Sequence, residues 1–283
     1  MTAGLLDTTT PVDEDHAALF AARAAGVALC TIVGIEGSFS RRLGAQLAVL
    51  PDGSTVGSLS DGCLERQLAS DAANLARPEV RRYGAGSGSI DFRLPCGSGL
   101  DILIDPAPDR EAIRAAVSRL AQRRPADLAL AANPVLARRR YLPALKLRMF
   151  GAGPEMDALV SLARSVGIGV ETARPDDLTL GRASALPAAD RYTAVVLLFH
   201  DHEWELALIE EALASPAFYI GAQGGSAARE ARMLDLLARG NSEADLARLT
   251  SPIGVLPSCK SPSTLALSVL TEVMGAYEAL RGV

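Results

Sequence analysis

The chain has 283 residues, 49% of them hydrophobic, which is enough for two domains of ordinary size with a core each. A net charge of −5 and 4% aromatic residues supply neither the basic field nor the stacking platforms of a nucleic-acid binder. The acidic first residues lack the basic-then-apolar pattern of a signal peptide, and no apolar run approaches a membrane span. The four cysteines form no CxxC pair, which argues against a disulfide scaffold and a tetrahedral zinc site. The expectation is a cytoplasmic protein with no nucleic-acid or membrane partner.

Residues 13–25, acidic in the first turn, read as a short helix, and 27–35 as a buried strand with Cys30 in its core. Between that strand and the apolar run 45–50 lies Gly37-Ser38-Phe39-Ser40-Arg41-Arg42-Leu43-Gly44. Paired hydroxyls and arginines between glycines suit a loop gripping an anion, with a solvated basic turn as the plainer alternative. A hairpin turn at 51–54 leads into a strand over 54–59. Gly57-Ser58-Leu59-Ser60-Asp61-Gly62-Cys63-Leu64-Glu65 then delivers Cys63 to the first turn of a helix carrying Leu64 and Leu68 at helical spacing. Ser60 or Asp61 is expected to cap it. A cysteine in that position reads as a functional thiol at the positive end of a helix, or as a small buried hydrophobe.

Residues 80–83 read as a strand. Cys96 and Gly97 sit in a glycine-rich turn just before the strand 101–104. Cys63 follows one strand and Cys96 precedes another, so the two thiols could face one pocket. An amphipathic helix over 110–122 and a strand over 128–132 end a first domain, 1–133. Residues 134–145, with Arg138, Arg139 and Arg140, read as a linker to a second domain, 146–283.

The second domain opens with a strand over 146–150, the turn Gly151-Ala152-Gly153 and a helix to about 165, the phosphate-binding start of a doubly wound parallel sheet. Met156 takes the third glycine's place, and the strand 169–173 ends in Ala173-Arg174 rather than in the acid that would bind a ribose. Both weaken an NAD(P) site. His200, Asp201 and His202 follow the buried strand 194–199, where open α/β sheets bind ligands. The turn beginning at Gly221 repeats the strand–glycine–helix arrangement and offers a second place for an anion. The fold class is therefore α/β: a mixed α+β N-terminal domain followed by a Rossmann-like doubly wound parallel sheet.

Gly37, Ser38, Arg41 and Gly44, then Gly62, Cys63 and Glu65, then Cys96, Gly97 and Gly99, together resemble the XdhC/CoxI family. Phe150–Pro154, His200-Asp201-His202 and Tyr219–Ala222 resemble that family's Rossmann-type domain. Ser40 stands where the family has proline, Asp61 where it has glycine, and Gly225-Ser226 where it has serine and arginine. The resemblance implies an accessory protein without turnover of its own. Such a protein holds the molybdenum cofactor, as molybdopterin or its dinucleotide, while a cysteine desulfurase supplies the terminal sulfur. It then passes the cofactor to an apo molybdenum hydroxylase of xanthine dehydrogenase type, and self-association into a homo-oligomer is left open. On this reading Cys63 and Cys96 contact molybdenum or sulfur. Ser38, Arg41, Gly62, Gly97, Gly151, Gly153, His200, Asp201 and Gly221 are the further cofactor-binding residues. The rival reading is an NAD(P)-dependent oxidoreductase with His200 or His202 as its acid/base.

Overall fold

The computed structural model describes residues 14–87, 97–131 and 135–281, which form two compact units meeting in sequence at Pro143 and Ala144. The N-terminal unit runs α1 (Glu14–Ala21), β1 (Ala28–Glu36), β2 (Gln46–Val49), β3 (Thr55–Val56), α2 (Cys63–Ala73), β4 (Glu79–Gly84), β5 (Gly99–Asp105), α3 (Arg110–Ala121), β6 (Ala126–Ala129) and β7 (Arg138–Tyr141). Strands β3-β2-β1-β5-β4 form one antiparallel sheet, and β6 and β7 a separate hairpin. Alternate residues of a strand face opposite ways. Cys30, Ile32 and Leu47 accordingly pack toward Leu64 and Leu68 of α2, while Leu29 and Ala48 pack toward Leu19 of α1 and Ile113 of α3. Both faces of β1 are covered, which explains why Ala28 to Gly34 are all buried. Burial pushes the Cys30 thiol up to about 12, aided by Asp71 and Asp105, so this cysteine is core material.

The strand expected over 54–59 is only two residues long, because Gly57 turns the chain at φ +92. The linker expectation for 134–145 also fails over 138–141. These residues form β7, with Tyr141 opposite Ala126. Tyr141 is 1% exposed and donates to Gln46 Oε1 at 2.5 Å, while Gln46 donates to Thr31 at 3.0 Å. Arg139 lies over the Tyr141 ring, 5.1 Å from its centroid, and the alternation of a half-buried strand was hidden behind three arginines.

The C-terminal unit runs β8 (Lys146–Gly151), α4 (Pro154–Ser165), β9 (Gly169–Ala173), β10 (Thr193–Leu198), α5 (Glu205–Leu213), β11 (Tyr219–Ala222), α6 (Ser226–Ala238), α7 (Glu243–Leu246), β12 (Leu249–Thr250) and α8 (Pro262–Arg281). Its sheet is parallel throughout, ordered β9-β8-β10-β11-β12. One face carries Phe150, Val195 and Leu197 against Leu208, Ile209 and Leu236 of α5 and α6, and α4 packs along α8. This doubly wound order reverses direction between β8 and β10, so the ligand crevice of the architecture opens at the ends of those two strands.

Candidate functional site

Cys63 owes its position to two glycines and one carboxylate. A Cβ at Gly57 would lie 2.9 Å from the Gln46 carbonyl oxygen, and Gly62 precedes α2 at φ +96, a region L side chains rarely adopt. Of the two expected caps, Asp61 accepts from the first helical amide, that of Cys63, at 3.4 Å. Glu65, in the third helical position, reaches back as well. Its Oε1 accepts from the amides of Leu59 at 2.8 Å and Ser60 at 2.6 Å, and its Oε2 from Gly62 at 2.8 Å. Glu65 is 7% exposed. Burial by itself would raise its carboxyl, but the amides of Ser60, Leu59 and Gly62 outweigh that and hold it below the ordinary carboxylate range. An internal anion thus fills the amide cluster, and the Gly62 N–H is committed to it. Cys63 is exposed, and Arg66, one turn on, donates to its Sγ at 3.2 Å. The sequence signal for Glu65 was the acid three residues after the cap, and for Arg66 the i+3 spacing.

The three glycine turns of this unit come together. Arg41 donates through Nε to the Ser58 carbonyl at 3.1 Å and through a terminal nitrogen to Ser58 Oγ at 3.5 Å, tying the arginine loop to the cysteine turn. Ser98 Oγ donates to the Ser38 carbonyl oxygen, tying the Gly97 turn to the same loop. Gly97 is exposed, at φ +70. Cys96 lies outside the described residues. Two depressions flank Ser58, one of about 470 Å³ lined by Ser60, Asp61, Gly62 and Arg66, the other of about 380 Å³ lined by Ser40, Arg41, Arg42 and Gln46.

In the C-terminal unit, Gly151 is dictated by packing, since a Cβ there would sit 2.3 Å from the Leu198 carbonyl oxygen. Gly153 precedes α4 at φ +95, with Pro154 in the first helical position, and Met156 is fully buried. Arg174 pairs with Asp157 at 2.6 Å, and Glu171 with Arg148 and Lys146 at 2.6 and 3.1 Å. His200 is exposed just past the carboxyl end of β10, the middle strand, 3.7 Å from Glu155. Asp201 caps the 3-10 turn that follows, accepting from the Glu203 amide at 3.1 Å. Gly221 is buried, and a Cβ there would meet Ile253 and Tyr219, so it serves close packing.

A charged cluster that no sequence motif marks lies beside these strand ends. Arg232 donates to Glu205 at 2.8 Å, to Ser251 Oγ at 2.7 Å and to the Gln223 carbonyl at 2.7 Å. His202 Nδ1 lies 3.0 Å from the same Glu205 oxygen. Glu205 is wholly buried, and burial raises its carboxyl against the opposing pull of Arg232 and His202. Among the described residues no group of three His, Cys, Asp or Glu side chains is placed to hold a metal, and no helix is long and apolar enough to cross a membrane.

A family model described as the XdhC and CoxI family matches residues 20–84, and one described as the XdhC Rossmann domain matches 147–273. The molybdenum cofactor insertion chaperone PaoD of Escherichia coli (strain K12) is 33% identical over 267 residues, covering 88% of this chain and 82% of its own. The crystal structure of a xanthine dehydrogenase from Bacillus halodurans covers 92% of this chain and 95% of its own with a TM-score of 0.71; at 20% identity that likeness concerns the fold alone. With both units matched in order and a relative of this identity over most of its length, the chain belongs to the XdhC/CoxI family.

Proposed function

We propose that this chain carries the molybdenum cofactor, as molybdopterin or its dinucleotide, and delivers it to an apo molybdenum hydroxylase. The observation that carries the reading is the junction at Ser58, which holds the exposed Cys63 and the Arg41 loop in one place. The residues suit such a cargo. Thiolate is a soft ligand for molybdenum, and Arg41, Arg42 and Arg66 offer charge to the pterin phosphate. The depressions beside Ser58 have the size of ordinary ligand pockets. Gly62 contributes shape rather than a free amide in this scheme, Gly97 lies on the adjoining turn, and Cys96 is its second thiol. A relative named as a cofactor insertion chaperone supports the reading. Sulfuration by a cysteine desulfurase during holding, and a client of xanthine dehydrogenase type, are its finer parts.

The test is molybdenum and pterin analysis of protein purified without air from a molybdenum-replete host. Both are expected in near-equimolar amount with the chain. Protein free of both, yet turning over a substrate with NAD(P), would replace the carrier by the oxidoreductase reading.

A further inference from the structure

We infer that Glu155 closes the first glycine turn of the C-terminal unit to the pyrophosphate of a nicotinamide dinucleotide. In doubly wound folds that bind dinucleotides, the pyrophosphate rests on the amides that open the helix after the first strand. Here that helix is α4, at the end of β8 and beside the point where the strand order reverses. The backbone has the required form, with Gly151 against Leu198 and Gly153 at φ +95. The side chains do not suit the ligand.

Glu155, in the second helical position, folds back over the turn. Its Oε2 lies 3.4 Å from the point where a Cβ on Gly153 would be. That oxygen is buried and has no hydrogen-bond partner in the structure, and the His200 ring lies 3.7 Å away. A carboxylate at a helix start supplies the negative charge that position favours. A phosphate entering the turn would meet that charge at close range.

The rest of the crevice agrees. The strand that should end in a ribose-binding acid ends in Ala173, and Arg174, the residue that could meet a 2′-phosphate, is paired with Asp157. A buried acceptor without a partner suits a group that brings an N–H, an O–H or a positive charge. The turn therefore carries an acceptor where dinucleotide-binding folds of this type hold a phosphate. This inference is independent of the cargo held in the N-terminal unit.

Calorimetric titration of the full chain with NAD+ and with pyrophosphate tests it, using Glu155→Gln and Glu155→Ala, with Glu243→Gln, an exposed carboxylate on α7, as a charge-matched control. The wild type is expected to bind neither at millimolar concentration. Removing the Glu155 charge should tighten binding about tenfold or more, and Glu243→Gln should leave it unchanged. Wild-type binding as tight as that of the variants would overturn the inference. So would Glu155 variants that keep the wild-type circular dichroism spectrum and stay silent, or an equal gain in Glu243→Gln.

Discussion

Replacing Arg232 by Met is expected to cost the C-terminal unit about 3–5 kcal/mol, the usual consequence of removing one member of a buried ion pair. The guanidinium is 1% exposed and its partner carboxylate 0%. Without it, Glu205 stays buried without its cation, and Ser251 and the Gln223 carbonyl lose a donor. That is a large share of the ~5–15 kcal/mol by which whole domains are stable. Trp204 is the chain's one tryptophan; it adjoins Glu205 and stacks on Phe199 with centroids 6.2 Å apart, so its fluorescence reports urea unfolding of this unit. The double variant Arg232→Met, Glu205→Leu should recover most of the loss, because an apolar pair of similar volume removes both buried charges together. A loss below about 1 kcal/mol for Arg232→Met would show that the cluster does not hold this unit.

Glu65→Ala is expected to cost about 2–4 kcal/mol, since the amides of Leu59, Ser60 and Gly62 lose their acceptor at once. The loss should be local before it is global. Hydrogen exchange at those three amides should quicken well ahead of the β1 core. The same residue gives the N-terminal unit an acid dependence. Its folded carboxyl titrates below the ordinary value, so its stabilisation is complete above the unfolded value of about 4.3 and is lost as pH falls through the lowered folded value. Glu65→Gln should flatten that part of the acid-unfolding curve. Unchanged exchange in Glu65→Ala would mean that another group organises the Cys63 turn.

Strand–turn–helix units such as 146–165 were legible because local chemistry dictates them: an apolar run, glycines where φ is positive, proline in the first helical position. The cap of α2 was only partly legible: Asp61, a good capping residue by type, takes the Cys63 amide, but Glu65 satisfies three further amides at once. Residues 138–141 looked like a solvated linker because three arginines precede Tyr141, the residue that anchors the strand. The pairing of Glu205 with Arg232 joins residues 27 apart in sequence, and an arginine four residues before Leu236 on α6 reads as polar surface until the helix is packed. The joining of the Cys63, Arg41 and Gly97 turns was suggested by their shared glycine and hydroxyl chemistry, but only the antiparallel register brings Ser58 and Ser98 to the same loop. The nature of the cargo was legible only through resemblance, since thiol and guanidinium groups specify an anion and a soft atom, not a pterin.

The most direct test of a cofactor held at Cys63 compares the molybdenum and pterin content of the wild type, Cys63→Ala and Cys259→Ala, all purified without air from the same molybdenum-replete host. Cys63 is exposed on the turn tied to Arg41, while Cys259 is half-buried in the other unit, with its thiol toward the Leu256 carbonyl oxygen. The account predicts that Cys63→Ala loses nearly all of both while Cys259→Ala keeps them. Wild-type content in a folded Cys63→Ala protein would contradict it.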